Sequence, residues 1–233
     1  MDHLHQKLAT IFGGSGFVGT QIVQLLARKG YRVRVAVRRP DLAGHVKPLG
    51  AVGQIQPIQA NVRNEASVQR AVAGSDIVIN LVGIGFEGGK QRFQAVHVDG
   101  AAAIARAAKA AGAKAMVHMS ALGADIDSVS DYAASKAAGE AAVLEEFPQA
   151  VIFRPSILFG RGDGFFNLMG SLARMLPVMP LVGGETKFQP VYVGDVADAF
   201  VLAAEGKVKT GKIYEMGGPE ILTHRALLEP DLA

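Results

Sequence analysis

Nine residues constrain this chain more than any others. The segment Ile11-Phe12-Gly13-Gly14-Ser15-Gly16-Phe17-Val18-Gly19 follows a compact apolar run, Leu8–Phe12. After it, Val18, Ile22, Leu25 and Leu26 fall on one helical face. Gly13, Gly16 and Gly19 form a G-x-x-G-x-x-G pattern between that strand and that helix. Glycine serves three needs in such a place. The chain turns sharply, its backbone approaches a pyrophosphate, and the new helix packs closely on the strand. The N–H groups and positive dipole end of the helix then face the phosphates.

Glycine-rich turns are common, so the surroundings carry the inference. Gly30 lies where the helix should close, and Val33, Val35 and Val37 alternate as a second strand. An acidic side chain at the end of that strand would bind the 2′-hydroxyl of NAD. The chain instead places Arg38 and Arg39 there, with no acid before Asp41. Arginine pairs with a 2′-phosphate and stacks on adenine, so NADP(H) is the expected cofactor, with NAD(H) as the alternative.

Beyond the motif, short β-type runs alternate with helical ones. Ile55–Gln59 reads as a third strand, Ser67–Ala73 as a short helix and Asp76–Val82 as a buried strand. Ala101–Ala111 is an Ala-rich helix closed by Gly112, Ala115–Met119 a strand, Asp131–Phe147 a helix and Val151–Arg154 a strand. Lys212–Met216 reads as a late strand. Such a succession predicts an α/β fold, a doubly wound parallel Rossmann sheet with a reduced C-terminal substrate region. Residues 1–155 are expected to form the dinucleotide-binding part. Residues 156–233, irregular and rich in Gly, Pro and Met after Pro155, read as loops and a partial substrate lid on the same unit.

Composition narrows the function classes. The 233 residues, 49% hydrophobic and 19% charged, suffice for a core that needs no disulfide or metal staple. The chain has no Cys, which excludes thiolate catalysis and Cys-ligated metal. Its six His form no ligand pair, and His3 and His5 sit in an expected frayed terminus, so no metal site is predicted. A net charge of +3 with 6% aromatic residues and no Trp lacks the basic, stacking surface of a nucleic-acid binder. No basic region with a long apolar segment precedes the first strand, and Phe165–Val182 is broken by Gly170, Arg174, Pro177 and Pro180. A cytoplasmic protein without a transmembrane segment, at most peripheral to a membrane, is therefore expected.

These motifs, taken in order, resemble the short-chain dehydrogenase/reductase superfamily in its extended and atypical branches. The resemblance rests on the glycine motif, Asn61-Val62, Asn80-Leu81-Val82-Gly83, Ser120, Tyr132-Ala-Ala-Ser-Lys136 and Arg154-Pro155 with Phe159-Gly160. Gln189–Val193 with Asp195-Val196-Ala197 is similar to the superfamily's later motif. Phe12–Gly19, Arg38-Arg39-Pro40, Tyr132–Glu140, Arg154–Gly160 and Tyr214–Leu222 look most like the NADPH-binding accessory subunits of respiratory complex I and their bacterial relatives.

The resemblance implies a cofactor held by Gly13, Ser15, Gly16, Phe17, Val18, Gly19, Arg38, Arg39, Asn61, Val62, Leu81, Val82, Gly83, Tyr132, Lys136, Pro155 and Ile157. It implies Tyr132 as general acid/base, Lys136 as the group that lowers the phenol's pKa and holds the nicotinamide ribose, and Ser120 as the orienter of a substrate oxygen. Complex I subunits are the implied partners, and a place peripheral to a respiratory membrane the implied location. Turnover of the cofactor and its retention without turnover both fit these residues. An active NADP-dependent oxidoreductase or epimerase on a small carbonyl or sugar-like molecule would lose turnover on Tyr132→Phe. A redox-sensing regulator would bind its partner differently with NADPH and NADP⁺.

The pattern departs from the superfamily in three places. Asn61 stands where relatives carry an Asp toward the adenine, and Asp99 where catalytic members carry an Asn of a proton relay. The chain also ends soon after Gly217-Gly218-Pro219, so the substrate pocket is expected to be open. The apolar stretch Phe165–Val182 is compatible with a cover for substrate, lipid or partner, and equally with ordinary lid packing.

Overall fold

A computed structural model describes residues 6–164 and 184–227. The seven central strands are β1 (Leu8–Phe12), β2 (Arg32–Val37), β3 (Ile55–Gln59), β4 (Ile77–Asn80), β5 (Ala115–Met119), β6 (Val151–Pro155) and β10 (Lys212–Met216). They lie in the order β10-β6-β5-β4-β1-β2-β3, every neighbouring pair parallel. The order reverses between β1 and β4, and a ligand crevice is expected outside the strand C-termini at such a switch point. Short pairs β7 (Leu158–Phe159) with β9 (Val191–Tyr192), and β8 (Lys187–Phe188) with β11 (Leu222–Thr223), lie outside this sheet.

Alternation along each strand feeds two cores. Ile11, Val35, Ile79, Val117 and Phe153 face one side, where they meet Ile22 and Leu26 of α1 (Phe17–Arg28) and Val196 and Phe200 of α5 (Val193–Ala204). The Phe153 and Phe200 ring centroids are 4.9 Å apart. Phe12, Ala36, Val78, Met116 and Ile152 face the other side. There they meet Val68 of α2 (Glu65–Val72), Ile104 of α3 (Gly100–Ala110) and Val143 of α4 (Asp131–Glu146). Fully burying one such aliphatic or Phe side chain is worth about 1.5–3 kcal/mol, so both faces contribute substantially.

The helix ends follow local chemistry. Gly30 N–H bonds Ala27 O and Tyr31 N–H bonds Leu26 O, a Schellman closure of α1. Ser130 Oγ accepts the Ala133 N–H at the start of α4. Just before α3, Gln94–Asp99 forms a π-helical turn. A short helix α6 (His224–Leu227) follows β11.

One expectation is corrected. The irregular pattern between Pro155 and the late strand predicts loops, yet Val193–Ala204 is a 12-residue helix. Its buried Val193, Val196, Ala197, Phe200, Val201 and Ala204 repeat at helical spacing and pack against α1. The apolar stretch Phe165–Val182 and the histidines His3 and His5 lie outside the described residues. Among the described residues no helix is long and apolar enough to cross a membrane.

Candidate functional site

Outside the β1–β4 switch point lies a cleft of about 670 Å³, lined by Gly13, Ser15, Gly16, Arg38, Arg39, Asn61, Val62, Leu81, Val82 and Gly83 among others. Its floor is the glycine turn. Gly13 has φ +78°, a conformation that L side chains rarely adopt, and its N–H donates to Ala36 O at the end of β2. A Cβ on Gly19 would lie 2.5 Å from Gly13 O and 2.6 Å from Gly14 Cα, so only glycine lets α1 sit this close to the turn. No side chain caps α1, and no acid stands in its first turn. Its leading N–H groups therefore keep their affinity for an anion. A phosphate-sized cradle of this kind suits a dinucleotide.

The walls assign different tasks to residues that the sequence grouped together. Arg39 is engaged by Asp41, Nη2 to Oδ2 at 2.6 Å, with both side chains exposed. Arg38 is exposed on the cleft wall and has no ion-pair partner among the described residues. Asn61 Oδ1 accepts the Arg63 N–H at 3.1 Å, which leaves the carboxamide NH2 as the donor on that wall. His45 Nε2 lies 3.1 Å from Ser15 O. A ring nitrogen facing a carbonyl must carry the proton, so His45 ties the segment after β2 to the glycine turn.

Phe17 packs against the core, Val18 is buried within it, and Gly19 is pressed on the turn. None of the three lines the cleft, so any contact they make with a phosphate runs through backbone N–H. Pro155 and Ile157 follow from β6, two strands beyond β4, and also stand away from this cleft.

Beyond its Gly83 end, though not among its lining residues, stand Lys136, with Tyr132 one helical turn before it and Ser120 next to the Met119 carbonyl that the lysine bonds. A Cβ on Gly83, a cleft residue, would stand 3.8 Å from Lys136 Nζ. Lys136 is only 5% exposed, and its ammonium donates to Met119 O at 2.9 Å. Burial pulls its pKa down to about 8, with Glu140 one turn along acting in the opposite sense. Glu140 is held by Arg154 through two bonds of 2.8 and 2.7 Å. Ser120 is 4% exposed, and its Oγ has no hydrogen-bond partner among the described residues. A buried hydroxyl without a partner is costly, and a ligand oxygen would satisfy it.

One expectation about this end is corrected. The neighbouring ammonium was expected to lower the Tyr132 phenol, but burial raises it. The cause is the packing: the ring stands edge-on to Phe93 at 5.9 Å and to His97 at 5.6 Å, while the lysine bonds the Met119 carbonyl. Asp99 is exposed and bonds Gln94 Nε2, so it does not face the site. The residue that does is His97, which the sequence reading passed over. It was one of six histidines without a pairing pattern, and a single π turn has no spacing signature of its own.

His97 is 2% exposed, and its pKa is pushed down to about 4, first by burial and then by Lys136. His118, buried beside Asn80, is lowered in the same direction. For His97 the folded value lies below the ordinary 6.5, so between about pH 4 and 6.5 the unfolded chain binds the extra proton. Stability from this group is fully present above 6.5 and is lost as pH falls toward 4, to the extent of about 2–3 kcal/mol. Urea unfolding at pH 4.5 and 7 should show that difference, reduced in His97→Gln. A flat profile in the parent would contradict the buried neutral histidine.

Comparison with known proteins adds to this geometry. The model of the NAD dependent epimerase/dehydratase family matches residues 9–217. The chain is similar to NADH dehydrogenase (ubiquinone) 1 alpha subcomplex subunit 9, mitochondrial, of Arabidopsis thaliana, with 38% identity over 95% of this chain and 56% of the relative. The protein of the same name from Mus musculus is 39% identical over 91% of this chain and 57% of its own length. The chain thus spans little more than half the length of these relatives. Among solved structures, the Bordetella bronchiseptica enzyme WbmH in complex with NAD⁺ superposes with a TM-score of 0.76 at 18% identity, covering 95% of this chain and 79% of that one. At that identity the likeness concerns the fold.

Proposed function

The chain belongs to the NAD dependent epimerase/dehydratase family, and from that premise we propose that it holds NADP(H) as an accessory or scaffold component of the respiratory complex I type. The observation that carries the reading is the glycine cradle facing an Arg38 that has no ion-pair partner among the described residues, with no carboxylate at the end of β2. In this reading Gly13, Ser15, Gly16 and the first N–H groups of α1 hold the pyrophosphate. Arg38, joined by Arg39 once it leaves Asp41, takes the 2′-phosphate. An exposed pair such as Arg39–Asp41 is worth little and gives way easily.

Asn61 and Val62 then flank the adenine, and Leu81, Val82 and Gly83 line the middle. Tyr132, Lys136, Pro155 and Ile157 bound the nicotinamide end. When bound, the nicotinamide supplies hydride chemistry. Residues 1–155 carry the cofactor, and residues 156–233 supply the substrate side.

Two features favour retention over turnover. Burial raises the Tyr132 phenol, so less of it stands as phenolate at neutral pH, and the Lys136 ammonium donates to the Met119 carbonyl. The relatives described above are named as subunits of NADH dehydrogenase, which supports complex I subunits as partners and a peripheral place at a respiratory membrane. The test is size fractionation of mildly solubilised native membranes, with the chain followed by mass spectrometry. Migration with the large respiratory complex is expected. Recovery only as a free small protein would contradict the accessory role.

A further inference from the structure

The two walls of the site's far end come from different elements. Gly83 and Ile84 leave β4, whereas Tyr132, Ser135 and Lys136 stand on α4. His97 is bonded to both. Its Nε2 accepts the Ile84 N–H at 3.0 Å, which fixes the ring proton on Nδ1. That proton goes to Ser135 Oγ at 2.9 Å, and Ser135 in turn donates to Tyr132 O at 2.8 Å. The ring stacks on Phe93, with centroids 5.2 Å apart, and the Tyr132 ring stands edge-on to both at 5.6 and 5.9 Å. A Cβ on Gly83 would stand 3.6 Å from His97 Nε2, so the imidazole borders the cleft itself.

The π turn makes this arrangement specific. Gln94–Asp99 carries an extra residue per turn, which rolls His97 inward while Asp99 stays exposed. Helix α4 presses on the same point: a Cβ on Gly139 would overlap the His97 carbonyl oxygen. Backbone and side chain of one residue are therefore clamped between β4's exit and α4. An ordinary buried histidine needs one partner for each nitrogen, and any pair would do. Here the two partners are the two walls of the proposed cofactor cleft.

We propose that His97 is a positioning residue that locks Gly83 and Ile84 to the Tyr132–Lys136 face of α4, and so sets the width of the nicotinamide end. The proposal rests on the dinucleotide reading of the cleft. Its consequence is selective along the ligand. Losing the lock should weaken a ligand that reaches the nicotinamide end and spare one that occupies only the adenine end.

The test uses His97→Leu, close in bulk but without ring nitrogens, and His97→Gln, whose Oε1 can still accept the Ile84 N–H. Each variant is titrated with NADPH and with 2′,5′-ADP, which lacks the nicotinamide half. His97→Leu should weaken NADPH about tenfold and leave 2′,5′-ADP within about twofold, with His97→Gln recovering most of the loss. Unchanged NADPH binding in His97→Leu, equal loss of both ligands, or failure of Gln to recover would overturn the proposal.

A parent protein that binds neither ligand would remove the cofactor reading instead. The lock is then judged by hydrogen exchange at the Ile84 amide. Exchange faster by about tenfold in His97→Leu alone supports it, and unchanged exchange overturns it.

Discussion

Replacing Arg38 with Asp and Arg39 with Ala is expected to weaken NADPH by about 100-fold or more while leaving NADH within about threefold. The asymmetry follows from the chemistry of the one group that differs. A guanidinium–phosphate contact is a charge-assisted hydrogen bond worth about 1.5–3 kcal/mol, and inverting the charge adds repulsion to its loss. Single substitutions should divide the effect unequally. Arg38 is exposed on the cleft wall without an ion-pair partner among the described residues, whereas Arg39 begins in a bidentate contact with Asp41. Arg38→Ala should therefore cost more than Arg39→Ala, and both effects should shrink in high salt because these side chains are exposed. Titration of the variants by nicotinamide fluorescence checks this. A uniform loss for NADPH and NADH would contradict the 2′-phosphate role.

The second large effect separates binding from folding at two neighbouring glycines. Gly16 lines the cleft with φ −82°, and a Cβ there would meet only Gly13 O, at 3.3 Å. Gly16→Ala should stay folded, losing less than about 1 kcal/mol, yet weaken dinucleotide binding by about tenfold or more because the methyl group enters the phosphate space. At Gly19 the added methyl runs into the Gly13–Gly14 backbone, at 2.5 and 2.6 Å. Backbone cannot swing aside as a flexible side chain can. Gly19→Ala should cost about 1–3 kcal/mol of stability and abolish binding. Urea unfolding paired with NADPH titration distinguishes the two outcomes. Gly16→Ala binding NADPH as the parent does would show that no phosphate approaches this turn.

The sequence was most legible where apolar runs are short and closed by turns. Leu8–Phe12, Ile55–Gln59, Ala115–Met119 and Lys212–Met216 are strands with the expected bounds. The buried run Asp76–Val82 gives a shorter strand, Ile77–Asn80, because the Asn80 side chain accepts the Val82 N–H and turns the chain out of the sheet. Helix Val193–Ala204 escaped notice although its apolar spacing is helical. Gly194 and Asp195 in its first turn, and the Gly- and Pro-rich stretch before it, resembled loop.

In the site, the residues bound to a local motif could be read, and those bound by packing could not. The glycine turn and the four-residue spacing of Tyr132 and Lys136 are sequence patterns. Whether Lys136 reaches a phenol or a carbonyl depends on how α4 docks. That docking is set by Gly139 against His97, a contact across some forty positions of chain that no window reveals. The same docking explains why His97, rather than Asp99, faces the site.

The cleft between β1 and β4 is proposed to take a 2′-phosphorylated dinucleotide. Equilibrium titration of the unmodified protein with NADPH and with NADH, side by side at one ionic strength, tests it most directly. Saturable binding of both is expected, with NADPH at least about tenfold tighter. Equal or tighter binding of NADH, or no binding of either, would contradict it.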